Sequence, residues 1–280
     1  MMLLLPADPL RLRRPDEHFA PEAAAARAAG FTVALVDHDA LIRDRAEQAV
    51  STVPAGGTAI YRGWMMRSEQ YAAFAQALAR RDVTLRTTAD QYRRAHELPG
   101  WYSTLAELTP RSAWTTGDDR ADFDRVRAVL GAGPAVLRDY TKSMKHYWHE
   151  ATYIPDLADG EAAWKIASRF RDLRGDDFVG GFVVRCFEEF SSAEARTWWV
   201  NGTCVLTGPH PDTPDDSPPD VDLASLVPLV AALDLPFVTV DLARHVDGRW
   251  RVVELGDGQV SDRPATIDAD TLITALLAGS

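Results

Sequence analysis

The sequence predicts an α/β N-terminal lobe followed by antiparallel α+β structure. In the first third of the chain, short β-rich runs alternate with helical segments, and this βαβ pattern indicates an open sheet with helices on its faces. In the second half, the pairs Asn201-Gly202 and Asp247-Gly248 each lie between two strand-like runs. Such pairs are typical of tight β-hairpins, so the second half is predicted to be antiparallel.

The first 96 residues are predicted to hold four strands and three helices. Gly30 ends the first helix, and Ser68 is predicted to cap the second. The strands are predicted at residues 3–7, 31–37, 58–62 and 83–87, and the helices at residues 21–29, 68–80 and 90–96. The region has neither a Gly-x-Gly-x-x-Gly motif nor a phosphate-loop motif, so neither nucleotide-binding fingerprint applies.

The rest of the chain is predicted to begin with an irregular aromatic connector at residues 98–116. Besides the two hairpins, strands are predicted at residues 134–139 and 178–190, and helices at residues 118–130, 159–174, 223–233 and 268–277. Residues 208–221 are rich in proline and aspartate, and this composition favours an exposed loop.

The totals for the chain restrict the class of protein. Its 280 residues carry a net charge of −11, which is not the charge of a general nucleic-acid binder. Cys186 and Cys204 fall in strand-like runs, which predicts buried free thiols in a reducing compartment. No apolar run reaches the roughly 18 residues of a membrane span, and no signal-peptide pattern is present. We therefore expect a cytoplasmic protein with no nucleic-acid or membrane partner.

Two acidic residues are predicted to face each other across the second hairpin. If Asp247 and Gly248 form a two-residue loop, Asp241 lies opposite Glu254. Like charges at directly opposed positions destabilise a sheet, so a compensating charge is expected. A hard divalent cation such as Mg²⁺ binds carboxylate oxygens and would compensate both charges. The alternatives are a protonated carboxyl group or an ion pair with a nearby arginine such as Arg196.

A basic segment lies between residues 137 and 150. The chain has only three lysines, and two of them, Lys142 and Lys145, fall in this segment together with Arg138 and His146. The lysine ammonium is a compact charge suited to phosphate groups, so the segment is predicted to bind a polyphosphate. A solvated basic loop is the alternative that the composition leaves open.

Further charged residues accompany the strands that follow. One strand ends at Glu188 and Glu189, which could contact a ribose or solvate a turn. Glu194 and Arg196 lie two residues apart on one face of the next strand, where Arg196 could stabilise a transferred phosphoryl group or form an ordinary ion pair. The scattered histidines, His210 among them, are assigned no chemistry. The sequence offers no plausible Ser/His/Asp or Cys/His arrangement, so a covalent hydrolase is not expected.

The order of these parts resembles the ATP-grasp superfamily, and within it the branch that contains bacterial glutathione synthetase and the ribosomal-protein glutamate ligase. Residues 194–202, Glu-Ala-Arg-Thr-Trp-Trp-Val-Asn-Gly, are similar to a Glu-x-Arg-x-x-Val-x-Gly motif but one residue longer. Residues 138–148, Arg-Asp-Tyr-Thr-Lys-Ser-Met-Lys-His-Tyr-Trp, and 254–261, Glu-Leu-Gly-Asp-Gly-Gln-Val-Ser, look like signatures of the R-two-K clade. The resemblance covers residues 83–262.

The resemblance implies a division of the chain and a pair of cofactors. A pre-ATP-grasp α/β domain would comprise residues 1–90, a connector and helix residues 91–135, an ATP-grasp small lobe residues 136–205, and a catalytic lobe with the metal hairpin residues 206–280. The cofactors would be ATP and Mg²⁺, with the nucleotide sandwiched between two antiparallel-sheet lobes.

The resemblance also implies roles for individual residues. Arg138, Lys142 and Lys145 would contact the phosphates, and Glu194 would make a further nucleotide contact. Arg185, Phe187 and Glu188 would form the adenine hinge, with a ribose contact. Lys142 and Arg196 would stabilise charge during catalysis, and Asp241, Glu254 and Asp257 would bind the metal. The sequence departs from the superfamily at two positions. Arg138 stands where a lysine is usual. Gly256 stands where a Glu-x-Asn motif usually supplies the second metal ligand, so that either Asp257 or Gln259 replaces it or the second metal is weakly bound.

Together these implications predict an ATP- and Mg²⁺-dependent ligase. It would join a small-molecule or peptide carboxylate to an amine through an acyl-phosphate intermediate. A small-molecule or nucleotide kinase on the same scaffold and an ATP-binding regulatory module without turnover are the alternatives.

Overall fold

The chain folds into two compact units that interleave along the sequence. The computed structural model describes residues 1–216 and 220–278. The first unit comprises residues 1–95, 192–242 and the segment from 254 onward, and the second comprises residues 96–191 and 243–253. Within the described ranges, no helix is both long and apolar enough to cross a membrane. The domain boundaries that follow from the resemblance stay predictions.

Thirteen strands form within the described ranges. They are β1 (Met2–Asp8), β2 (Arg11–Pro15), β3 (Thr32–Val36), β4 (Gly57–Tyr61), β5 (Val83–Leu85), β6 (Ser112–Trp114), β7 (Ala135–Arg138), β8 (Tyr153–Ile154), β9 (Val183–Cys186), β10 (Ala195–Val200), β11 (Thr203–Pro209), β12 (Phe237–Arg244) and β13 (Trp250–Asp257). The short strands β2, β6 and β8 are not among the predicted strands, and the strand predicted at residues 178–190 is only four residues long.

Ten helices connect these strands in the same part of the chain. They are α1 (Ala20–Ala28), α2 (His38–Ile42), α3 (Ala46–Ala49), α4 (Ser68–Ala79), α5 (Ala89–His96), α6 (Leu98–Leu105), α7 (Arg120–Leu130), α8 (Gly160–Arg174), α9 (Val227–Ala232) and α10 (Ala269–Ala278). The prediction of an irregular connector at residues 98–116 is wrong, because this segment contains α6 and β6. Pro99 lies in the first turn of α6, where the missing N–H has no helical partner to lose.

Two smaller expectations are also corrected by the structure. Helix α4 begins at Ser68, but Arg67 is its N-cap residue, and the side chain of Gln70 accepts the Arg67 N–H at 3.1 Å. In the loop expected at residues 208–221, strand β11 continues to Pro209, and residues 217–219 lie outside the described residues.

The first unit contains the open α/β sheet that the sequence predicts. Its four parallel strands lie in the order β3-β1-β4-β5, and β2 pairs antiparallel with the end of β1. Leu3, Leu5 and Ile60 lie in one core cluster with α1, while Leu4 and Tyr61 lie in another with α4. Because successive residues of a strand face opposite sides, these two clusters cover the two faces of the sheet.

An antiparallel sheet in the order β11-β10-β12-β13 follows later in the chain. Asn201 and Gly202 form the predicted two-residue turn with φ values of 48° and 76°. The turn between β12 and β13 differs from the prediction. The His245 N–H donates to the Arg249 carbonyl at 2.9 Å, which makes the loop three residues long, and its last residue, Gly248, has a φ of +91°.

The second unit contains an antiparallel sheet in the order β6-β9-β7-β8. Its core is formed by fully buried side chains from α7, β7, α8 and the segment before β9, among them Phe123, Leu137, Phe170 and Phe182. Burial of side chains of this size, at about 25 cal/mol per Å² of apolar surface, is the main stabilisation of the unit. The sheet holds the basic segment at the end of β7.

Candidate active site

An arginine–aspartate pair lies at the centre of the antiparallel sheet in the first unit. The register of β10 and β12 places Arg196 directly opposite Asp241. The guanidinium donates through Nε to Oδ1 and through Nη2 to Oδ2, both at 2.8 Å. The Asp241 side chain is only 4% exposed and that of Arg196 11%. The ion pair left open by the sequence as one alternative is therefore formed.

The ionisation of the pair is set by two opposing effects. Burial alone raises the pKa of the Asp241 carboxyl group, but the charge and hydrogen bonds of Arg196 outweigh it, so the pKa lies below its usual value. Burial likewise opposes the charge on Arg196, yet its carboxylate neighbours raise the pKa of the guanidinium. Asp241 is thus ionised at neutral pH, as a metal ligand or an ion-pair partner must be.

Glu194 and His210 complete a set of potential metal ligands around Asp241. Ligand atoms of these three residues all lie within 4.8 Å of one another. The Nε2 atom of His210 is 3.5 Å from Asp241 Oδ2 and 3.0 Å from Arg196 Nη2. Glu194 and His210 come together because the His210 N–H donates to the Glu194 carbonyl at 3.1 Å, just beyond the ends of β10 and β11.

Glu254 faces the same side of the sheet as Asp241. A Cβ atom built on Gly256 would lie 3.4 Å from Thr239 Oγ1, so Gly256 and Thr239 point to one face. Residues two positions away share that face, which places Asp241 and Glu254 together on it. Glu254 also raises the pKa of Arg196, as expected for a nearby carboxylate. The shared face agrees with the prediction, although the three-residue loop does not.

We call Glu194, Arg196, His210, Asp241 and Glu254 the acidic centre. Arg196 is influenced by the charges of Asp241, Glu254 and Asp262, so one guanidinium faces three carboxylates. Such a surplus of negative charge around oxygen ligands fits a hard divalent cation. A cation bound there would share Asp241 with Arg196, because the guanidinium engages both carboxylate oxygens.

The structure contradicts the choice of Asp257 as a further metal ligand. Asp257 is the neighbour of Gly256 in β13 and therefore points to the opposite face of the sheet from Glu254. Its side chain is buried, and its Oδ1 accepts the N–H and the amide of Gln259 at 2.9 and 3.0 Å. Burial raises the pKa of this carboxyl group to about 7, against the effect of the Gln259 bonds. Asp257 is therefore an enclosed acid rather than part of the acidic centre.

The basic segment of the second unit is organised by Asp139. This carboxylate is fully buried; Oδ1 accepts the backbone N–H groups of Thr141 and Lys142 at 2.8 and 2.7 Å. Its Oδ2 accepts Arg174 Nε from α8 at 2.9 Å and the Val179 N–H at 3.2 Å. One acid thus fixes the turn that follows β7 and determines where Lys142 lies.

The three basic residues predicted to bind phosphate differ in exposure. Arg138 is only 5% exposed, and its Nη2 donates to the Thr141 carbonyl at 2.6 Å, so it supports its own loop. Lys142 is half-buried and Lys145 is exposed. Within the described part of the chain, no carboxylate forms an ion pair with the Lys142 ammonium group. Lys142 is thus the residue of the three best suited to an anionic ligand.

Two residues of the predicted adenine hinge already have partners in the second unit. Arg185 donates to the Val253 carbonyl at 2.7 Å and to Thr109 Oγ1 at 2.8 Å. Glu188 accepts both Nε and Nη2 of Arg251, at 2.8 and 2.7 Å. A ribose contact from Glu188 would have to share the carboxylate with that arginine.

The third hinge residue, Phe187, belongs to an aromatic cluster. Its ring lies 5.5 Å from that of Tyr153 and 6.3 Å from that of Trp148, both in edge-to-face arrangements. Tyr153 and Trp148 stack on each other at 5.5 Å. Phe187 is 37% exposed, so the cluster presents an aromatic surface that could receive a planar ring.

His210 is the residue of the acidic centre that the sequence left without a role. Counting outward from a regular turn at Asn201-Gly202 places Glu194 opposite Pro209. The observed register shifts by one residue between Trp198 and Trp199, which places Ala195 opposite Pro209 and brings His210 to Glu194. The shift is a β-bulge, and no turn residue in the sequence signals it.

Comparisons with known proteins agree with this architecture. Residues 129–276, more than half of the chain, match the model of the ATP-grasp domain of the R-two-K clade, family 3. No curated protein matches the sequence. The crystal structure of the D-cycloserine synthetase DcsG is similar over 100% of both chains, with 18% identity and a TM-score of 0.65.

Two further solved structures are similar to this chain. A RimK domain ATP-grasp protein from Sphaerobacter thermophilus DSM 20745 has 16% identity and a TM-score of 0.62 over 99% of this chain and 100% of that chain. The ATP-grasp ligase PsnB, complexed with minimal precursor, Mg and ADP, has 12% identity and a TM-score of 0.60 over 99% of this chain and 97% of that chain. At these identities the likenesses concern the fold, and they confirm the predicted fold class.

Proposed function

Because the chain belongs to family 3 of the R-two-K clade of ATP-grasp domains, we propose that it is an ATP- and Mg²⁺-dependent ligase that joins a carboxylate to an amine. The observation that carries the proposal is the acidic centre, in which an ionised aspartate and a neighbouring glutamate share one face of the sheet with an arginine. Phosphoryl transfer requires positioning and charge neutralisation, and these residue types supply both.

In the first unit, Asp241 and Glu254 would hold Mg²⁺, and Glu194 and His210 are further ligands within reach. Bound Mg²⁺ would neutralise the charge of the phosphates and orient them. Arg196 has a separate function in this proposal, besides its ion pair with Asp241. Its guanidinium is positioned by both oxygens of Asp241 and can stabilise the negative charge that develops during transfer.

In the second unit, Lys142 and Lys145 are proposed to contact the phosphates of ATP, and Phe187 is proposed to pack against the adenine. Arg138, Arg185 and Glu188 are more restricted, because each already forms hydrogen bonds within the unit. We assign them the positioning of the loop and strand on which these contacts depend.

The proposed reaction has two steps that balance. A substrate carboxylate oxygen attacks the γ-phosphorus of ATP, ADP leaves, and an acyl phosphate forms. The nitrogen of an amine then attacks the carbonyl carbon, phosphate leaves, and the nitrogen loses a proton to give the amide. The substrates would be small molecules or peptides.

The proposal is tested by incubating the full chain with ATP, Mg²⁺ and a library of amino acids and amines. A ligase releases ADP and inorganic phosphate only when both substrates are present, and mass spectrometry finds a product lighter than their sum by one water. A phosphorylated product without free phosphate would instead identify a kinase. Asp241→Asn should abolish the signal, and Glu69→Gln, an exposed carboxylate on α4, should not.

A nucleotide-binding module without turnover is the second candidate, and the pairing of Asp241 with Arg196 favours it, because a filled ion pair can replace the metal. Calorimetry separates the two. In a module, ATP binding survives Asp241→Asn together with Glu254→Gln and does not depend on Mg²⁺, and no substrate pair releases ADP.

A further inference from the structure

The strand order of the parallel sheet in the first unit predicts where a ligand-binding crevice lies. From β1 the chain passes to β3 on one side, and from β4 it passes to β5 on the other side. The order of connections therefore reverses between β1 and β4. In open α/β sheets, ligands bind outside the carboxyl ends of the strands at such a reversal.

The segments that follow β1 and β4 meet at this crevice. Trp64 follows β4 and is 39% exposed, although it is one of the largest apolar side chains in the unit. Its indole Nε1 donates to Asp16 Oδ2 at 3.0 Å, and Asp16 Oδ1 accepts the His18 N–H at 2.9 Å. Asp16 thus fixes the indole ring, which stays partly accessible.

A histidine and a second aspartate complete the walls. The His18 ring lies 4.8 Å from the Trp64 ring with a tilt of 36°, and its Nε2 is 2.8 Å from Asp262 Oδ1. The side chain of Asp262 is 50% exposed. Its Oδ2 atom accepts no hydrogen bond from the described residues, so one carboxylate oxygen is open to a ligand.

The crevice is connected directly to the acidic centre. Arg196 Nη1 donates to the Asp262 carbonyl at 3.1 Å, while the rest of the guanidinium holds Asp241. The charge of Asp262 also raises the pKa of Arg196. A ligand at Asp262 and Trp64 is therefore adjacent to the arginine proposed to stabilise the reacting phosphoryl group.

Several carboxylates lie close to the crevice. Asp16, Asp37 and Asp39 all act on the nearby His38, where they oppose the lowering of its pKa by burial. The buried Arg62 is neutralised by Glu22 through two hydrogen bonds of 2.9 and 2.8 Å. A partly exposed indole ring beside the open Asp262 oxygen favours a cation that carries an apolar group.

We propose that this crevice, walled by Trp64, His18 and Asp262, binds the amine substrate as its ammonium ion. The ammonium group pairs with Asp262, whose carboxylate accepts the proton that the nitrogen loses before it attacks the acyl phosphate, and the carbon chain packs on Trp64. The assignment rests on the proposed ligase function, since it names which of the two substrates enters from the first unit and its chemical class: a primary or secondary amine with an aliphatic or aromatic group.

The binding part of the proposal is tested without turnover. The probe is n-hexylammonium chloride, compared with n-hexanol and sodium hexanoate at equal concentrations, and the readout is the Trp64 indole N–H signal in a two-dimensional NMR spectrum, assigned with Trp64→Phe. Hexylammonium should shift this signal in a saturable manner. Asp262→Asn should weaken its binding about fivefold, the scale of an exposed ion pair, and Asp270→Asn, an exposed aspartate on α10, should not change it.

Equal shifts by hexanol and hexylammonium, or binding that Asp262→Asn leaves unchanged, would overturn the assignment. Melting temperatures of all variants identify any that fail to fold. Trp64→Phe is used rather than Trp64→Ala because it retains an aromatic side chain.

The kinetic part separates this inference from the ligase proposal. With a substrate pair found by ADP release, Trp64→Phe and Asp262→Asn should raise the KM for the amine and leave the KM for ATP unchanged. A raised KM for the carboxylate instead would overturn the amine assignment and leave the ligase function intact. Saturable hexylammonium binding with no turnover of any pair would retain the cation site and overturn the ligase function.

Discussion

The two units differ in how available their charged residues are. In the first unit, residues from β10, β12 and β13 converge on one face of a sheet and leave a surplus of negative charge around Arg196. In the second unit, Arg138, Arg185 and Glu188 each bond to groups of the same unit. Motif residues of the first unit are therefore available to a ligand, whereas several motif residues of the second unit stabilise the fold. The hydrogen-bond and ion-pair partners of a charged side chain determine its availability more than its residue type does.

The largest effect is expected from breaking the acidic centre. Asp241→Asn should reduce the rate of ADP release at saturating substrates by about 10³-fold, since it removes the proposed metal ligand and the anchor of Arg196 at once. Steady-state kinetics measure the loss, and Glu69→Gln is the control. Full activity of Asp241→Asn would remove the functional distinction between the units.

A stability comparison uses one buried ion pair from each unit. The pair of Arg62 and Glu22 is 1% and 3% exposed, and that of Arg251 and Glu188 is 11% and 17% exposed. Removing one partner of a buried pair costs about 3–5 kcal/mol. Glu22→Ala should therefore lower the free energy of unfolding by about that amount, and Glu188→Ala by less, as measured in urea. Glu47→Ala, from an exposed pair with Arg80, should cost under about 1 kcal/mol.

Lys142 provides the matching test in the second unit. Lys142→Ala should raise the KM for ATP by about tenfold to a hundredfold, because it removes a charge that no carboxylate of the described chain engages. Lys165→Ala, an exposed lysine on α8, is the matched control. A larger change in Tm than in KM for Lys142→Ala would mean that this lysine, like Arg138, supports the fold.

The most gradual effect is a pH dependence at Asp257. Burial raises its pKa in the folded protein to about 7, from an ordinary value of 3.8. Between these values the carboxyl ionises only in the unfolded chain, so the free energy of unfolding falls as pH rises, by at most about 1.4 kcal/mol per pH unit. Asp257→Asn lacks this titration, and its stability relative to the natural protein should increase from pH 5 to pH 7. Parallel urea midpoints over that range would contradict the assignment.

Sequence patterns predict the elements of this fold better than the contacts of its side chains. The parallel strands and the Asn201-Gly202 hairpin follow from hydrophobic alternation and turn chemistry, which act over a few residues. Helix α6 escaped prediction because its proline resembles a helix breaker, although the first turn tolerates it. The five-residue strand β2 has no alternating pattern of apolar residues, and it forms by pairing with β1.

The candidate site shows the same division. Asp241 and Glu254 are found by the period of the strands, and their shared face survives a loop of a different length. The position of His210 beside Glu194 depends on a β-bulge. Asp257 is enclosed because it follows Gly256 directly and so points to the other face of the sheet. The ion pair of Glu188 depends on Arg251, which is 63 residues away in sequence. These contacts arise from tertiary packing, which local patterns do not encode.

The interleaving of the chain has a consequence for dissecting the protein. The backbone leaves the first unit after residue 95, returns at 192, enters the second again for residues 243–253 and then comes back. No single cut can therefore release either unit whole, although each of the three sheets is formed by consecutive strands, β1 to β5, β6 to β9 and β10 to β13. We expect a fragment that ends at residue 95 to keep the five strands of the α/β sheet and to lack the parts of the first unit that follow residue 191.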